Sequence, residues 1–202
     1  TQCVAMQSGI VVNCISASCI ASSTVCRGDV VSTSTTGNNA AYTTMFYLVD
    51  AGTGLVVATN ATGDFTADVA GDAGTSYQVH VLNYNNADAP DPIPGVGDDP
   101  STIGSTAMGC YDTNFLNEYV CFTVNDLPII NSAIPTCAGG PGTGVITVDA
   151  GTGVEYSLDG VAYQVSNMFT ALANNTYTVY VRNIATQCVA MQSGIVVNCI
   201  SA

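Results

Sequence analysis

The chain holds 202 residues, with 15 acidic side chains against 2 basic ones, a net charge of -13, no lysine, 1 histidine and 9 cysteines. So few cations leave no basic patch to neutralise phosphates, which excludes nucleic-acid binding and attraction to anionic membranes, and the absence of lysine removes Schiff-base and phosphate-loop chemistry. A single imidazole excludes a two-histidine zinc site, while 48% apolar residues against 8% charged ones indicate a chain that buries a core.

Thr1 to Ala17 reads TQCVAMQSGIVVNCISA, and Thr186 to Ala202 repeats it letter for letter at an offset of 185 residues. The chain is therefore one full period plus the first segment of another, and residues 1–17 read as the last strand of a preceding repeat. A tandem array is the simplest origin; a subunit that donates its terminal strand to a neighbour is the rival. Thr1 to Cys26 is uncharged but broken by Gln2, Gln7, Asn13 and serines, which is not the pattern of a membrane span. No charged n-region precedes an apolar block, so no signal peptide is expected.

A first module is expected over residues 18–127. Arg27-Gly28-Asp29 spells an integrin-type tripeptide but reads as a turn leading into a strand. Val49 to Gly54 (VDAGTG) recurs at Val148 to Gly153. Phe65-Thr66 with Tyr77 to Asn83 (YQVHVLN) parallels Phe169-Thr170 with Tyr177 to Asn183 (YTVYVRN), so one period contains two related modules. Alternation buries Tyr77, Val79 and Val81 and puts His80 on the outer face. Tyr77 and Tyr177 each start a strand after a corner, where a tyrosine hydroxyl can tie back to the backbone; a half-buried strand former is the plainer reading.

Asn85 to Gly109 is the one long loop, with Pro90, Pro92, Pro94 and Pro100 and the carboxylates Asp88, Asp91, Asp98 and Asp99. Those four are the candidates for calcium, a hard cation that takes oxygen ligands, although no EF-hand spacing exists. The plainer reading is a solvated, proline-stiffened loop that packs on a neighbouring module or chain. Asn60-Ala-Thr62 and Asn174-Asn-Thr176 match the glycosylation acceptor pattern, which is common by chance. Serine nucleophiles have no partner base other than His80 and no nucleophile elbow, so no enzymatic activity is expected.

The second module, residues 128–202, has strands expected near Gly144 to Asp149, Val154 to Leu158, Ala162 to Val165, Tyr177 to Arg182 and Gly194 to Asn198, with Asp159-Gly160 as a tight hairpin turn. Tyr177, Val179 and Val181 point inward and Thr178, Tyr180 and Arg182 outward. Turn signals every eight to twelve residues without helical periodicity indicate an all-β fold, here tandem Ig-like β-sandwich modules stapled by disulfides.

The segment from Cys137 to Cys188, with VEYSLDGVAYQVSNMFTALANNTYTVYVRNIATQC, resembles the SprB-type repeat of giant cell-surface adhesins of the Bacteroidetes. It departs from that pattern at Ala173-Asn174-Asn175 before Thr176 and at Thr186-Gln187 before Cys188. The first module, with GDFTADVAGDAGTSYQVHVLNYN and GCYDTN, resembles the Ig-like modules that accompany such repeats. The resemblance implies an exported protein of the cell surface used in adhesion, gliding or capture, and it implies no catalytic residues.

Nine cysteines in an acidic, lysine-free β protein point to an oxidising, extracellular setting. Two belong to the duplicated segment. In a sandwich the start of the first strand lies near the turn between the last two, so Cys26 is expected to bond Cys110 and Cys137 to bond Cys188. Cys14 and Cys19 would staple the joint between modules. Cys3 would pair within the preceding period and Cys199 within the next. Cys121 is left over, as a buried free thiol or as a bond to a neighbouring chain.

These readings converge on a structural and adhesive extracellular tandem-repeat protein forming a filament, stalk or hook. Its partners would be neighbouring repeats, parallel copies of the chain and a cell-surface glycan or protein, and calcium is the only candidate cofactor. A ligand- or calcium-binding adhesin module and a strand-exchange fibre subunit are the alternatives.

Overall fold

The computed structural model describes residues 25–33, 40–66, 74–103, 111–113 and 120–200. What it describes is nearly all β, with several sheets, and the chain divides into two compact units between Asn125 and Asp126.

In unit 1 the strands are β1 (Val25–Cys26), β2 (Val30–Ser32), β3 (Tyr42–Asp50), β4 (Val56–Asn60), β5 (Asp64–Thr66), β6 (Ser76–Asn85), β7 (Tyr111–Thr113) and β8 (Val120–Asn125). The main sheet runs β1-β8-β6-β3-β4, with β7 also on β6, while β2 and β5 form a separate ribbon. Neighbours are antiparallel except β1 and β8, which run parallel. The longest pairing, β3 with β6, holds Tyr42 opposite Asn85 through Asp50 opposite Tyr77.

Both faces of this sheet are covered. On one, Phe46 and Leu48 of β3, Tyr77 and Val79 of β6, and Phe122 and Val124 of β8 pack with Val25 and with Phe65 of the ribbon. Tyr77 rests on Phe122 with ring centroids 5.7 Å apart. On the other, Tyr47, Val49, Val56 and Leu82 pack with Ile103 and Ile93 of the proline-rich segment. That segment is not a solvated arm reaching for a neighbour; its described part lies on its own sheet. Pro90, Pro94, Pro100 and Ile103 are buried. Val56 donates to the Asp98 carbonyl at 2.9 Å, and Gly97 donates to the Val56 carbonyl at 2.8 Å. The cover overturns the expected position of His80, which is 2% exposed rather than on an open face.

In unit 2 the strands are β9 (Ile130–Cys137), β10 (Gly144–Ala150), β11 (Val154–Ser157), β12 (Met168–Leu172), β13 (Asn175–Asn183) and β14 (Val189–Val197). They form two three-stranded sheets, β12-β10-β9 and β11-β13-β14. Both send side chains into one core, which contains Ile146, Val148, Tyr156, Val179, Val181, Ile195 and Val197. The inward phase of β13 is as expected: Val179 and Val181 are fully buried.

Three local expectations change. Strands β9 and β12 are additions to the expected set. Ala162 to Val165 forms no strand, only a bridge between Tyr156 and Gln164, because Asp159 Oδ1 accepts from both Val161 N and Ala162 N and widens the turn. Strand β14 begins at Val189 rather than Gly194, and Gly194 sits inside it at φ 79° where the pairing with β13 shifts register. A glycine in the left-handed region is the residue that such a bulge requires.

Candidate assembly site

The duplicated segment has a structural job. Its second copy supplies β14, which among the described residues is hydrogen-bonded in its sheet to β13 alone and lies beside β9 of the other sheet. From Gly194 onward its side chains alternate: Ile195, Val197 and Cys199 are buried, while Val196 and Ile200 are 56% and 77% exposed. Arg182 faces Val189 and Asn175 faces Val197 across the ladder. Beyond the strand, the Asn174 side chain grips the backbone twice, accepting from Cys199 N at 2.8 Å and donating to the Cys199 carbonyl at 3.1 Å. Asn174 is thereby committed to the fold in its glycosylation-like triplet, as Asn60 is, whose Oδ1 accepts from Gly63 N at 2.7 Å.

A disulfide closes the same end. Cys137 bonds Cys199, with Cα atoms 5.5 Å apart and a sequence separation of 62. This corrects the expected Cys137 to Cys188 bond and the expectation that Cys199 pairs in the next period. The cause is β9: Cys137 ends a strand instead of starting one. It stands opposite Gly144, where an added Cβ would collide with Val197 Cγ1, so the end of β14 passes directly beside it. Cys188 lies at the other end of β14, about 30 Å of strand away. Cys188, Cys26 and Cys121 are disulfide-bonded too, so Cys121 is not a free thiol. Cys3, Cys14, Cys19 and Cys110 lie outside the described residues, and with them the expected Cys14 to Cys19 and Cys26 to Cys110 pairings. Disulfide bonding places the folded chain in an oxidising compartment.

The outer face of the β11-β13-β14 sheet carries one of the two arginines. Arg182 stands opposite Glu155 and pairs with it at 2.6 Å, and its guanidinium lies 3.8 Å from the centroid of the Tyr163 ring. The tyrosine corner is formed in this unit, where Tyr177 Oη donates to the Ala173 carbonyl at 3.0 Å. Asp159 holds the adjoining turn. The N–H groups of Val161 and Ala162 and then the Ser157 hydroxyl stabilise its carboxylate and bring its pKa down to about 2.

The four candidate calcium ligands do not converge. Among the described residues no group of three or more His, Cys, Asp or Glu side chains comes together. Asp98 Oδ2 accepts from Gly95 N at 2.8 Å, and Asp99 Oδ1 accepts from Ser101 N at 2.8 Å at the start of a short 3-10 turn. The Ser101 contacts hold the Asp99 carboxyl below the usual range. These carboxylates shape the loop that covers the sheet. Arg27-Gly28-Asp29 forms a tight turn, with Asp29 Oδ2 accepting from Cys26 N at 2.8 Å. The His80 ring lies inside unit 1 with Nε2 3.1 Å from Gln78 Oε1. Among the described residues no helix is long and apolar enough to cross a membrane.

No protein-family model matches the chain, and no curated protein matches it significantly.

Proposed function

We propose that the chain is one period of a structural, adhesive, extracellular tandem-repeat protein, built from Ig-like β-sandwich modules and resembling the SprB-type repeats of giant bacterial surface adhesins. The observation that carries this reading is the duplicated segment. In its second copy it is a core strand, anchored by Ile195, Val197 and the Cys137 to Cys199 bond. The first copy carries the same anchors as Ile10, Val12 and Cys14, and these need an equivalent unit to be buried in. A preceding repeat supplies one. Each period then ends where the next begins, on a strand pinned by a disulfide, and tension passes from unit to unit through ladders and covalent staples.

Two further features support the reading. The described fold uses polar side chains on turns, strand ends and a partly exposed ion pair, and Asp98 and Asp99 on loop geometry. A charge of -13 in each period keeps an array of such units soluble and self-repelling, less so as salt rises. Electron microscopy of the native assembly tests the proposal. The expected image is a fibre with a regular axial repeat matching one two-unit period. Isolated particles without an axial repeat, at every ionic strength tried, would end it.

A further inference from the structure

We infer that the β14 slot of unit 2 is a binding site for a second copy of this chain, whose Thr1–Ala17 segment can enter where Thr186–Ile200 lies. The inference rests on the repeat reading above and deepens it by naming the occupant and the residues that receive it.

The slot makes four demands. It needs backbone that pairs antiparallel with β13 from Asn175 to Arg182. It needs a residue tolerant of φ 79° at the register shift, as Gly194 is. It needs apolar side chains for the positions of Ile195 and Val197, which are 5% and 2% exposed. Last, it needs a cysteine that Asn174 can hold beside Cys137. Residues 1–17 meet all four with Gly9, Ile10, Val12 and Cys14, since the two segments are identical.

Identical occupants make identical contacts with β13, the core and Cys137, so what decides between them is concentration together with the further disulfide that holds the resident strand at Cys188. The resident strand is tethered through the short turn between Asn183 and Cys188, which gives it an effective concentration on the order of millimolar. In dilute solution it keeps the slot. Where chains lie side by side at comparable local concentration, a neighbour's segment competes for the slot and links copies head to tail. Cys137 is exposed while Cys199 is 1% exposed, so the bond is open to attack from the Cys137 side. The thiolate of Cys14 attacks the Cys137 sulfur, one S–S bond forms as one breaks, and Cys199 departs as thiolate, with no net oxidation.

The test uses the full chain and a synthetic peptide, TQSVAMQSGIVVNCISA, with a scrambled peptide as control, in a glutathione redox buffer. Mass spectrometry should find the peptide bonded to Cys137, half-saturating near about 1 mM, while the scrambled peptide is not taken up. In parallel, the full-chain variant Ile195→Asp/Val197→Asp, whose resident strand is disabled, should run as head-to-tail oligomers by light scattering. Adding Ile10→Asp/Val12→Asp should abolish them. Uptake no greater than the scrambled control at about ten times that concentration would overturn the inference. So would oligomers indifferent to Ile10 and Val12. Either result beside fibres of regular axial repeat removes interchange and leaves the array standing, whereas loss of the axial repeat removes the array even where the peptide binds.

Discussion

Strands β6 and β13 carry matching sequences, YQVHVLN and YTVYVRN, which put the same tyrosine and valines in phase although the strands have different sheet neighbours. On the inner face they behave alike: Val79 and Val179 are both buried. On the outer face they part. Leu82 is fully buried in the cluster that Val49 and Val56 form with Ile103 and Ile93 of the proline-rich segment, whereas its counterpart Arg182 pairs with Glu155 beside the Tyr163 ring. The difference is made by residues 90–103, which fold back over unit 1 and have no counterpart in unit 2. An outer face is thus decided by what the chain does later, and the strand's own letters adapt to it.

The two VDAGTG segments teach the same lesson about connections. In unit 1 the turn is tied by Asp50 Oδ1, which accepts from Gly52 N at 2.7 Å and Thr53 N at 2.9 Å, and it returns β4 alongside β3 in one sheet. In unit 2 the same six letters join β10 to β11, which lie in different sheets. The residue after the motif marks the change: Leu55 is 39% exposed and Val154 is 8% exposed. Six residues set a turn, but they do not choose the sheet that the following strand joins: β4 and β11 both begin on a buried valine, Val56 and Val154, and still pair differently.

Exchanging the outer residues should break the comparison most sharply. Leu82→Arg buries a guanidinium with no carboxylate in register and should cost unit 1 on the order of 5 kcal/mol. Arg182→Leu removes a partly exposed ion pair and a ring contact and should cost unit 2 about 1 kcal/mol. Urea unfolding followed by segment-resolved hydrogen exchange separates the two units. Equal losses would mean that the cover over Leu82 is not part of the folded unit.

Next in size is the staple. Cys137→Ser should remove about 4 kcal/mol from unit 2 by freeing a loop of 62 residues' separation, and it should leave exchange in β3 and β6 unchanged. Ile103→Ala should then lower unit 1 stability by about 3 kcal/mol and expose the residues beneath it, so modification of His80 by diethyl pyrocarbonate should accelerate. Unchanged reactivity of His80 would show that the proline-rich segment does not seal that face.

Much of this architecture is legible in the sequence. The duplication, the phase of β6 and β13 and the tyrosine corner at Tyr177 all rest on local pattern, and local pattern is what sequence carries best. The burial of His80 is harder to read, because its cover comes from residues 10 and more further along the chain. A signal exists nonetheless. Met45 to Val49 (MFYLV) is an unbroken apolar run, which is the mark of a strand covered on both faces, and β6 pairs with it throughout. The cysteine partners are obscured for one reason: Ile130 to Cys137 does not look like a strand, since Pro135 and the polar Asn131, Ser132 and Thr136 interrupt it. Once that strand is present, Cys137 moves from the beginning of an element to its end, and its partner moves from Cys188 to Cys199.

The smallest expected effect sharpens the contrast between strand and turn within unit 2. Asp159 is solvent-exposed, and its folded pKa of about 2 lies below the ordinary carboxylate value because Val161 N–H and Ala162 N–H, then the Ser157 hydroxyl, favour the charged form. A depressed folded pKa means that the contribution is complete above the unfolded value of about 3.9 and is lost as pH falls through about 2. Amide exchange at Val161 and Ala162 should therefore gain protection between pH 2 and 4 relative to its intrinsic rate, whereas Thr178 and Val179 in β13 should not change. Asp159→Asn keeps an acceptor oxygen without the charge, so it should retain weaker protection and lose the pH dependence. The strand should hold while the turn loosens, because the ladder of β13 is backbone and Val179 is fully buried, whereas the Val161 and Ala162 N–H groups rest on one carboxylate in water. If β13 loosens in step with the turn, Asp159 is reporting global unfolding of unit 2, and the turn has no separate equilibrium of its own.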